Sequence, residues 1–337
     1  MLVVGAGLAG LTAARALRDA GRAPVLLDKA RRAGGRCATR TLAGAIVDTG
    51  AQFFTARSDA LQERAATWQA EGMVRRWSDG FARAGSIADA PASADTGGDG
   101  HPRYSVTGGM NRLPATLAED LDVRTCTRVT SVRGDARAWV VTGLDAEDSA
   151  RRWTADAVLL TPPLPQTLAL LAAGRVEYDE DLGARLRGLA YEPCLTLMVA
   201  LDAEPGLPGP GGVQFATGPV TWLADNVAKG ASAAPSLTLH ARWDWSETFY
   251  GAADAQIAAL LLDVVRPWLS GAEPVATGVF RWRYAKPRDP DDVGALLLAQ
   301  DPAPLVLAGD ALAGAKVEGA VTSGLEAARL LGVARPS

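Results

Sequence analysis

The chain has 337 residues, room for two domains at roughly 100–200 residues each, or for one domain with an insertion. Its formal net charge of −4, from 34 basic and 38 acidic residues, gives no electrostatic case for nucleic acid as a partner. Hydrophobic residues make up 48 %, which supports a sizeable core and excludes a disordered chain. No apolar run reaches the ~20 residues of a membrane span, and the longest stretch, 158–173, is interrupted by Pro162, Pro163 and Pro165.

In chain order, Leu2–Val4 reads as a short buried strand. It runs into Gly5-Ala6-Gly7-Leu8-Ala9-Gly10, a helix over Leu11–Ala20 closed by Gly21, and a second buried strand at Ala23–Asp28. No signal peptide precedes this unit, so a cytoplasmic location is expected. Arg31–Thr39 is a glycine- and arginine-rich loop. Ile46–Asp48 is a strand, and Ser58–Glu71 a helix that Ser58 can cap. Ala82–Arg103, poor in large apolar residues, reads as a surface loop. A helix is expected over Asn111–Leu121, then strand-like segments around Val123, Val129 and Val132, and strands at Trp139–Thr142 and Trp153–Leu160. Residues 166–290 change texture: strands at Cys194–Leu201, Thr221–Leu223, Leu237–Arg242 and Val275–Ala285, and an amphipathic helix over Asp254–Leu269. Leu305–Ala308 and a helix over Glu318–Leu331 return to the opening style.

Several chemistries are excluded by what is missing. Cys37, Cys126 and Cys194 form no CxxC pair and no disulfide framework. Two histidines, His101 and His240, cannot build a His-rich metal site, and no metal is expected. No GxSxG elbow is present. The strand–GxGxxG–helix arrangement is the positive signal. Gly5 allows the turn, Gly7 lets the backbone approach a pyrophosphate, and Gly10 lets helix and strand pack closely. Leu8 and Ala9 open the helix, whose N-terminal amides suit phosphate. Asp28, eighteen residues past Gly10 and followed by Lys29, suits ribose hydroxyls.

The next residues carry a resemblance. Arg32-Ala33-Gly34-Gly35-Arg36-Cys37-Ala38-Thr39 fits RxGGRxxT, and Asp48-Thr49-Gly50-Ala51 follows. With Val106-Thr107-Gly108-Gly109-Met110, Ala308-Gly309-Asp310, Val317-Glu318-Gly319-Ala320 and Ser323-Gly324, the chain resembles the amine-oxidase superfamily of FAD-dependent oxidoreductases. The resemblance implies a glutathione-reductase-like α/β Rossmann domain for FAD. It adds a second, mainly antiparallel-sheet substrate domain of the p-hydroxybenzoate hydroxylase and amine-oxidase type. The expected division is 1–75, 104–165 and 291–337 for FAD, and 76–103 and 166–290 for substrate. It implies Gly34, Gly35 and Arg36 at the pyrophosphate, Val129 against adenine, and Gly50, Ala51 and Gln52 near the flavin ring. Thr161, Gly309, Asp310 and Val317–Ala320 (Val317, Glu318, Gly319, Ala320) are further expected cofactor contacts. A helix N-terminus there can stabilise the negative charge of reduced flavin. All three cysteines precede residue 195, so FAD is expected to be non-covalent.

Within that superfamily, AGGRCATR, DTGAQFFTAR, GGMNRLP, FRWRYA and KVEGAVTSG resemble the renalase group. The resemblance implies hydride transfer from isomeric dihydronicotinamide dinucleotides, reduced at position 2 or 6, to flavin N5. Dioxygen then reoxidises the flavin to give hydrogen peroxide, and the protein works as a monomer or weak homodimer. The rivals are an amine oxidase or desaturase of the same superfamily, and a non-catalytic carrier on the FAD fold. The strand Cys194–Leu201 lacks the lysine that monoamine oxidases place near N5, and Lys316 replaces an aromatic of their amine cage. Lys316 is a cation for the pyrimidine edge or a substrate phosphate, or else a solvated loop lysine. Trp282 and Tyr284 share a strand face with Phe280, either lining the pocket or packing a sheet. His240 hydrogen-bonds a carboxamide or is a satisfied buried histidine. Phe53, beside Gln52, completes the expected catalytic set. Trp222, Trp243 and Trp245 are further aromatic candidates, more often core than pocket. Arg57, Arg64, Arg75 and Arg76 read as a charged helix face or a phosphate-attracting rim.

Overall fold

The computed structural model describes residues 1–89 and 100–332. The first elements are β1 (Leu2–Val4), α1 (Leu8–Asp19), β2 (Val25–Leu27), β3 (Thr39–Leu42), β4 (Ala45–Asp48), α2 (Asp59–Ala70), β5 (Val74–Ser78), β6 (Ala82–Ser86) and β7 (Arg103–Val106). Then come α3 (Arg112–Ala118), β8 (Asp122–Arg124), β9 (Arg128–Asp135), β10 (Ala138–Leu144), β11 (Ala150–Ala155), β12 (Val158–Leu160), α4 (Leu164–Ala173) and α5 (Glu180–Gly188). The remainder is β13 (Tyr191–Leu201), β14 (Gly212–Thr217), β15 (Val220–Asp225), β16 (Ser236–Ala241), α6 (Trp243–Phe249), α7 (Asp254–Val265), β17 (Pro274–Pro287), β18 (Ala295–Ala299), β19 (Leu305–Ala308) and α8 (Val317–Leu330).

The chain forms two compact units. The first gathers Met1–Gly35, Pro114–Ala190 and Lys286–Ser337. Its sheet has the order β18-β19-β12-β1-β2-β8, parallel apart from β18. The inner strands β1, β12 and β19 are apolar and buried at every position, as strands covered on both faces must be. Helices α1 and α8 pack through small residues, with Gly324 against Ala9 and Ala13. An antiparallel ribbon, β11-β10-β9, carries Trp139, whose indole N–H donates to the Ala303 carbonyl at 2.8 Å. This is a Rossmann-type α/β fold.

The second unit gathers Arg36–Leu113 and Tyr191–Ala285 around a sheet of order β17-β13-β16-β15-β14-β6. Alternation along β16 makes that sheet two-faced. Leu239, with its neighbours Leu197 and Leu223, points into a core closed by Ile257, Leu261 and Val265 of α7 and by Trp268. His240 points the other way, in register with Thr196 on β13 and Trp222 on β15.

Several expectations are corrected. Residues 82–86 are not loop but β6, which extends the sheet beside β14, and 103 opens β7. The expectation for 90–99 lies outside the described residues. Trp153–Leu160 is two strands in two sheets, because the chain turns at Asp156. Ser58 occupies the N-cap of α2 without a side-chain capping bond. Arg75 and Arg76 lie on β5 rather than on a helix, and Arg76 pairs with Asp79. The division of the chain also differs from the expected one. Residues 36–75 and 104–113 join the second unit, where β4 packs beside β16, and 166–190 form α4 and α5 of the first. No helix among the described residues is long and apolar enough to cross a membrane.

Candidate functional site

In the first unit, β1 feeds the glycine turn and α1 starts at Leu8 with Gly7 as an extended N-cap. A Cβ placed on Gly10 would collide with the Gly5 carbonyl, whereas one on Gly7 would meet nothing within 4 Å. Gly10 therefore serves helix packing, and Gly7 faces open space beside the free amides of the first helical turn. That is the cradle a pyrophosphate requires. The Gly34 amide donates to the Ala6 carbonyl at 2.8 Å, and Gly35 lies against Gly7, so the second glycine pair flanks the first. Asp28 accepts from the Ala6 amide at 2.6 Å and the Ala30 amide at 2.7 Å. Its carboxylate fixes the turn and keeps lone pairs for a ribose. The Thr161 hydroxyl donates to Val4 and Gly5 carbonyls, and so braces the turn. Lys29 bonds Gln166 at 3.0 Å, and Val129 is half-buried on β9. After β19, the Gly309 amide donates to Ser323 Oγ at 2.7 Å and Asp310 is buried. Lys316 is exposed and is the N-cap of α8. Glu318 stands in that helix's first turn, where its charge complements the dipole. These residues fit a dinucleotide: two glycine turns, an acidic residue ending β2, and a second helix N-terminus.

The second unit holds a buried polar cluster. Asp48, at the end of β4, is wholly buried. Its Oδ1 accepts from Thr39 Oγ1 at 2.5 Å and the Met110 amide at 2.8 Å, and its Oδ2 forms an ion pair with Lys229 Nζ at 2.7 Å. Lys229 is also wholly buried, and Nζ donates to Gln52 Oε1 at 2.8 Å. Burial pulls the lysine below its ordinary pKa, and the Asp48 carboxylate, 2.7 Å away, opposes this. Gln52 Nε2 donates to the Asp48 and Gly50 carbonyls at 2.7 and 3.0 Å and lies 3.5 Å from His240 Nε2. The Thr49 carbonyl gathers donors: Thr196 Oγ1 at 2.9 Å, Trp282 Nε1 at 2.8 Å, and the His240 ring. Burial and the Lys229 charge push His240 down to about 4, against a smaller upward pull from Thr49. Trp282 packs against Phe280 with the rings tilted by 47° and 4.6 Å apart, and lies against Gly50, where a side chain would collide with the Arg36 carbonyl. Arg36 donates to the Ala285 carbonyl at 3.2 Å, and its own carbonyl accepts from the Ala51 amide.

The structure thus brings Gln52, His240 and Trp282 together on one carbonyl and one buried ion pair. Within the second unit it does not bring Phe53 or Tyr284 into that cluster. Phe53 belongs to an aromatic cluster with Trp77, Phe81 and Trp222. Tyr284 packs edge-on against Tyr191 at 5.7 Å. Lys316 sits in the first unit. Trp245 stacks on Phe249, away from the polar face, and Trp243 is exposed. Lys229 was not foreseen. Its signal was an isolated lysine, one of four in the chain, between apolar strand segments. Burial also pushes the Cys37 and Cys194 thiols up to about 12, which leaves neither as a thiolate nucleophile.

Known proteins share this fold. Residues 3–67 match the NAD(P)-binding Rossmann-like domain, and residues 63–331 match the flavin containing amine oxidoreductase family. A cofactor-binding redesign of putrescine oxidase is similar in fold, with a TM-score of 0.72, 16 % identity and 98 % of each chain covered. Wild-type putrescine oxidase bound to putrescine gives 0.69 at 18 % identity, again over 98 % of each chain. A candidate protoporphyrinogen oxidase from Exiguobacterium sp. 255-15 gives 0.72 at 15 %, with the same coverage. The cofactor is FAD, held without a covalent bond. With its cofactor turns intact and most of its length matched, the chain belongs to the flavin-containing amine oxidoreductase family.

Proposed function

We propose that the chain oxidises isomeric dihydronicotinamide dinucleotides, reduced at ring position 2 or 6, to the ordinary oxidised nucleotide, as renalase-type enzymes do. Dioxygen takes the two electrons and leaves as hydrogen peroxide. The observation that carries this reading is the neutrality of the cluster around His240. Its one carboxylate, Asp48, is already matched by Lys229, Thr39 and the Met110 amide, so no free anion is offered to an alkylammonium. What the cluster does offer suits a neutral planar amide: the Trp282 ring for stacking, and His240 and Gln52 for a carboxamide.

FAD supplies the two-electron oxidant when bound. In the first unit, Gly7, the α1 amides and Asp28 would hold its pyrophosphate and a ribose, and Asp310 and the α8 N-terminus would hold the other end. In the second unit, His240 and Gln52 orient the substrate amide, and Trp282 holds the ring plane. Removing a hydride from a dihydropyridine needs no side-chain base, so positioning is the whole demand on these residues.

Amine oxidation is the second reading, favoured by the family and by the likeness to putrescine oxidase. One experiment separates them. The flavin-loaded protein is mixed anaerobically with borohydride-reduced NAD, which contains the isomers, and flavin absorbance is followed beside pure NADH and a panel of primary amines. Bleaching by the isomer mixture alone, with colour and peroxide returning in air, is the expected result. Bleaching by an amine alone overturns the proposal.

A further inference from the structure

We propose that Lys229 is a positioning residue for this cluster: together with the Asp48 and Gly50 carbonyls its ammonium holds the Gln52 amide with the NH2 end towards His240, and it adds a buried cation near the ring, so that the imidazole stays uncharged. The orientation follows from donor and acceptor chemistry. An ammonium cannot accept and a carbonyl cannot donate. Lys229 Nζ at 2.8 Å therefore requires Oε1, and the Asp48 and Gly50 carbonyls at 2.7 and 3.0 Å require Nε2. The Gln52 amide nitrogen, with both its N–H bonds already donated, lies 3.5 Å from His240 Nε2 and offers that ring no acceptor. An imidazolium carries N–H at both ring nitrogens and would set donor against donor.

The other groups facing His240 do not supply an anion to reverse this. The Thr49 carbonyl accepts from the ring. Thr196 and Trp282 donate to that same carbonyl, and Thr221 Oγ1 donates to the His240 carbonyl. Trp222 stands in register on β15, and the Cys194 thiol on β13 is protonated. Among the described residues, Asp48 and Lys229 are the charged pair of this network, and they neutralise each other.

A purpose follows from the reaction proposed above, on which this part of the argument rests. Oxidation turns a neutral dihydropyridine into a cationic pyridinium. A charged imidazole beside that ring would oppose the change, and a neutral one does not. Burying an ion pair costs several kcal/mol of desolvation, which is unexplained if Lys229 serves packing alone.

The test reads the imidazole directly. The chain has two histidines, so ring NMR signals of the flavin-loaded protein are assigned with one His101→Gln variant. In the parent, the His240 signal is expected to stay fixed between pH 8 and 5. In Lys229→Met the Asp48 and Gly50 carbonyls still hold Gln52 Nε2, but the buried cation near the ring is gone, and the titration midpoint is expected to rise by about one pH unit or more. Asp48→Asn/Lys229→Met removes both charges together, avoids an unpaired buried carboxylate, and is expected to show the same rise. Unaltered His240 titration in a folded variant overturns the proposal, as does a parent His240 that titrates near 6.5. This readout needs no substrate, so it stands or falls separately from the dihydronicotinamide assignment.

Discussion

At the residue scale, the three glycines of the first turn do different work. Gly7→Ala adds a methyl to open space at an extended φ of −81°, whereas Gly10→Ala drives one into the Gly5 carbonyl. Gly10→Ala is expected to cost about 1–3 kcal/mol in denaturant unfolding of the flavin-free protein, and Gly7→Ala under about 0.5 kcal/mol. Flavin affinity, from fluorescence titration, is expected to fall at least tenfold in Gly7→Ala, because the methyl enters the phosphate cradle. Equal stability losses in both would refute the division of labour. The motif is legible in the sequence because its spacing comes with a strand before it, a helix after it and Asp28 eighteen residues on. Lys229 was not, since its meaning lies in Asp48 and Gln52, about 180 residues away. Pairing at such separation has no local periodicity. Trp282 and His240 were legible as strand-face residues, but the shared Thr49 carbonyl that joins them was not.

At the scale of elements, the β13–β16–β15 sheet separates packing from chemistry by alternation alone. Leu261 of α7, fully buried, presses on one face, and His240 stands on the other. Leu261→Ala is expected to cost about 2–5 kcal/mol, seen as a lower midpoint in thermal or denaturant unfolding, while the His240 ring signals keep their shifts. A displaced His240 signal in the folded variant would show the faces to be coupled. The alternation of Leu237-Thr238-Leu239-His240 announced this sheet in the sequence. Among the strands not expected from the sequence, β5, β6 and β14 are short or mix arginine, glycine and glutamine with apolar residues. Their strand character comes from neighbours rather than from their own pattern. The helices α4 and α5 were overlooked because the change of texture near residue 166 was read as the start of another domain.

For the whole molecule, the neutral imidazole ties stability to pH. Unfolded, His240 takes a proton as pH falls below 6.5; folded, it resists until about 4. The unfolded chain therefore binds more protons across that window, and stability falls as pH drops through it. For a half-buried ring the loss is about 1–3 kcal/mol. His240→Asn lacks this term, so its stability deficit relative to the parent is expected to shrink between pH 6.5 and 4 in paired melts. A deficit independent of pH would rule the linkage out.

The path of the chain has another consequence. It passes between the two units at Gly35/Arg36, Leu113/Pro114, Ala190/Tyr191 and Ala285/Lys286. The inner strand β19, between β18 and β12, follows β12 only after the whole run from α4 to β18. Until it emerges, β12 is a bare apolar edge and α1 lacks α8 as its cover. The nascent protein thus carries an unfinished sheet throughout that interval. Its hazard is premature strand pairing with other chains, and the step that ends the exposure is insertion of a strand rather than docking of a finished domain.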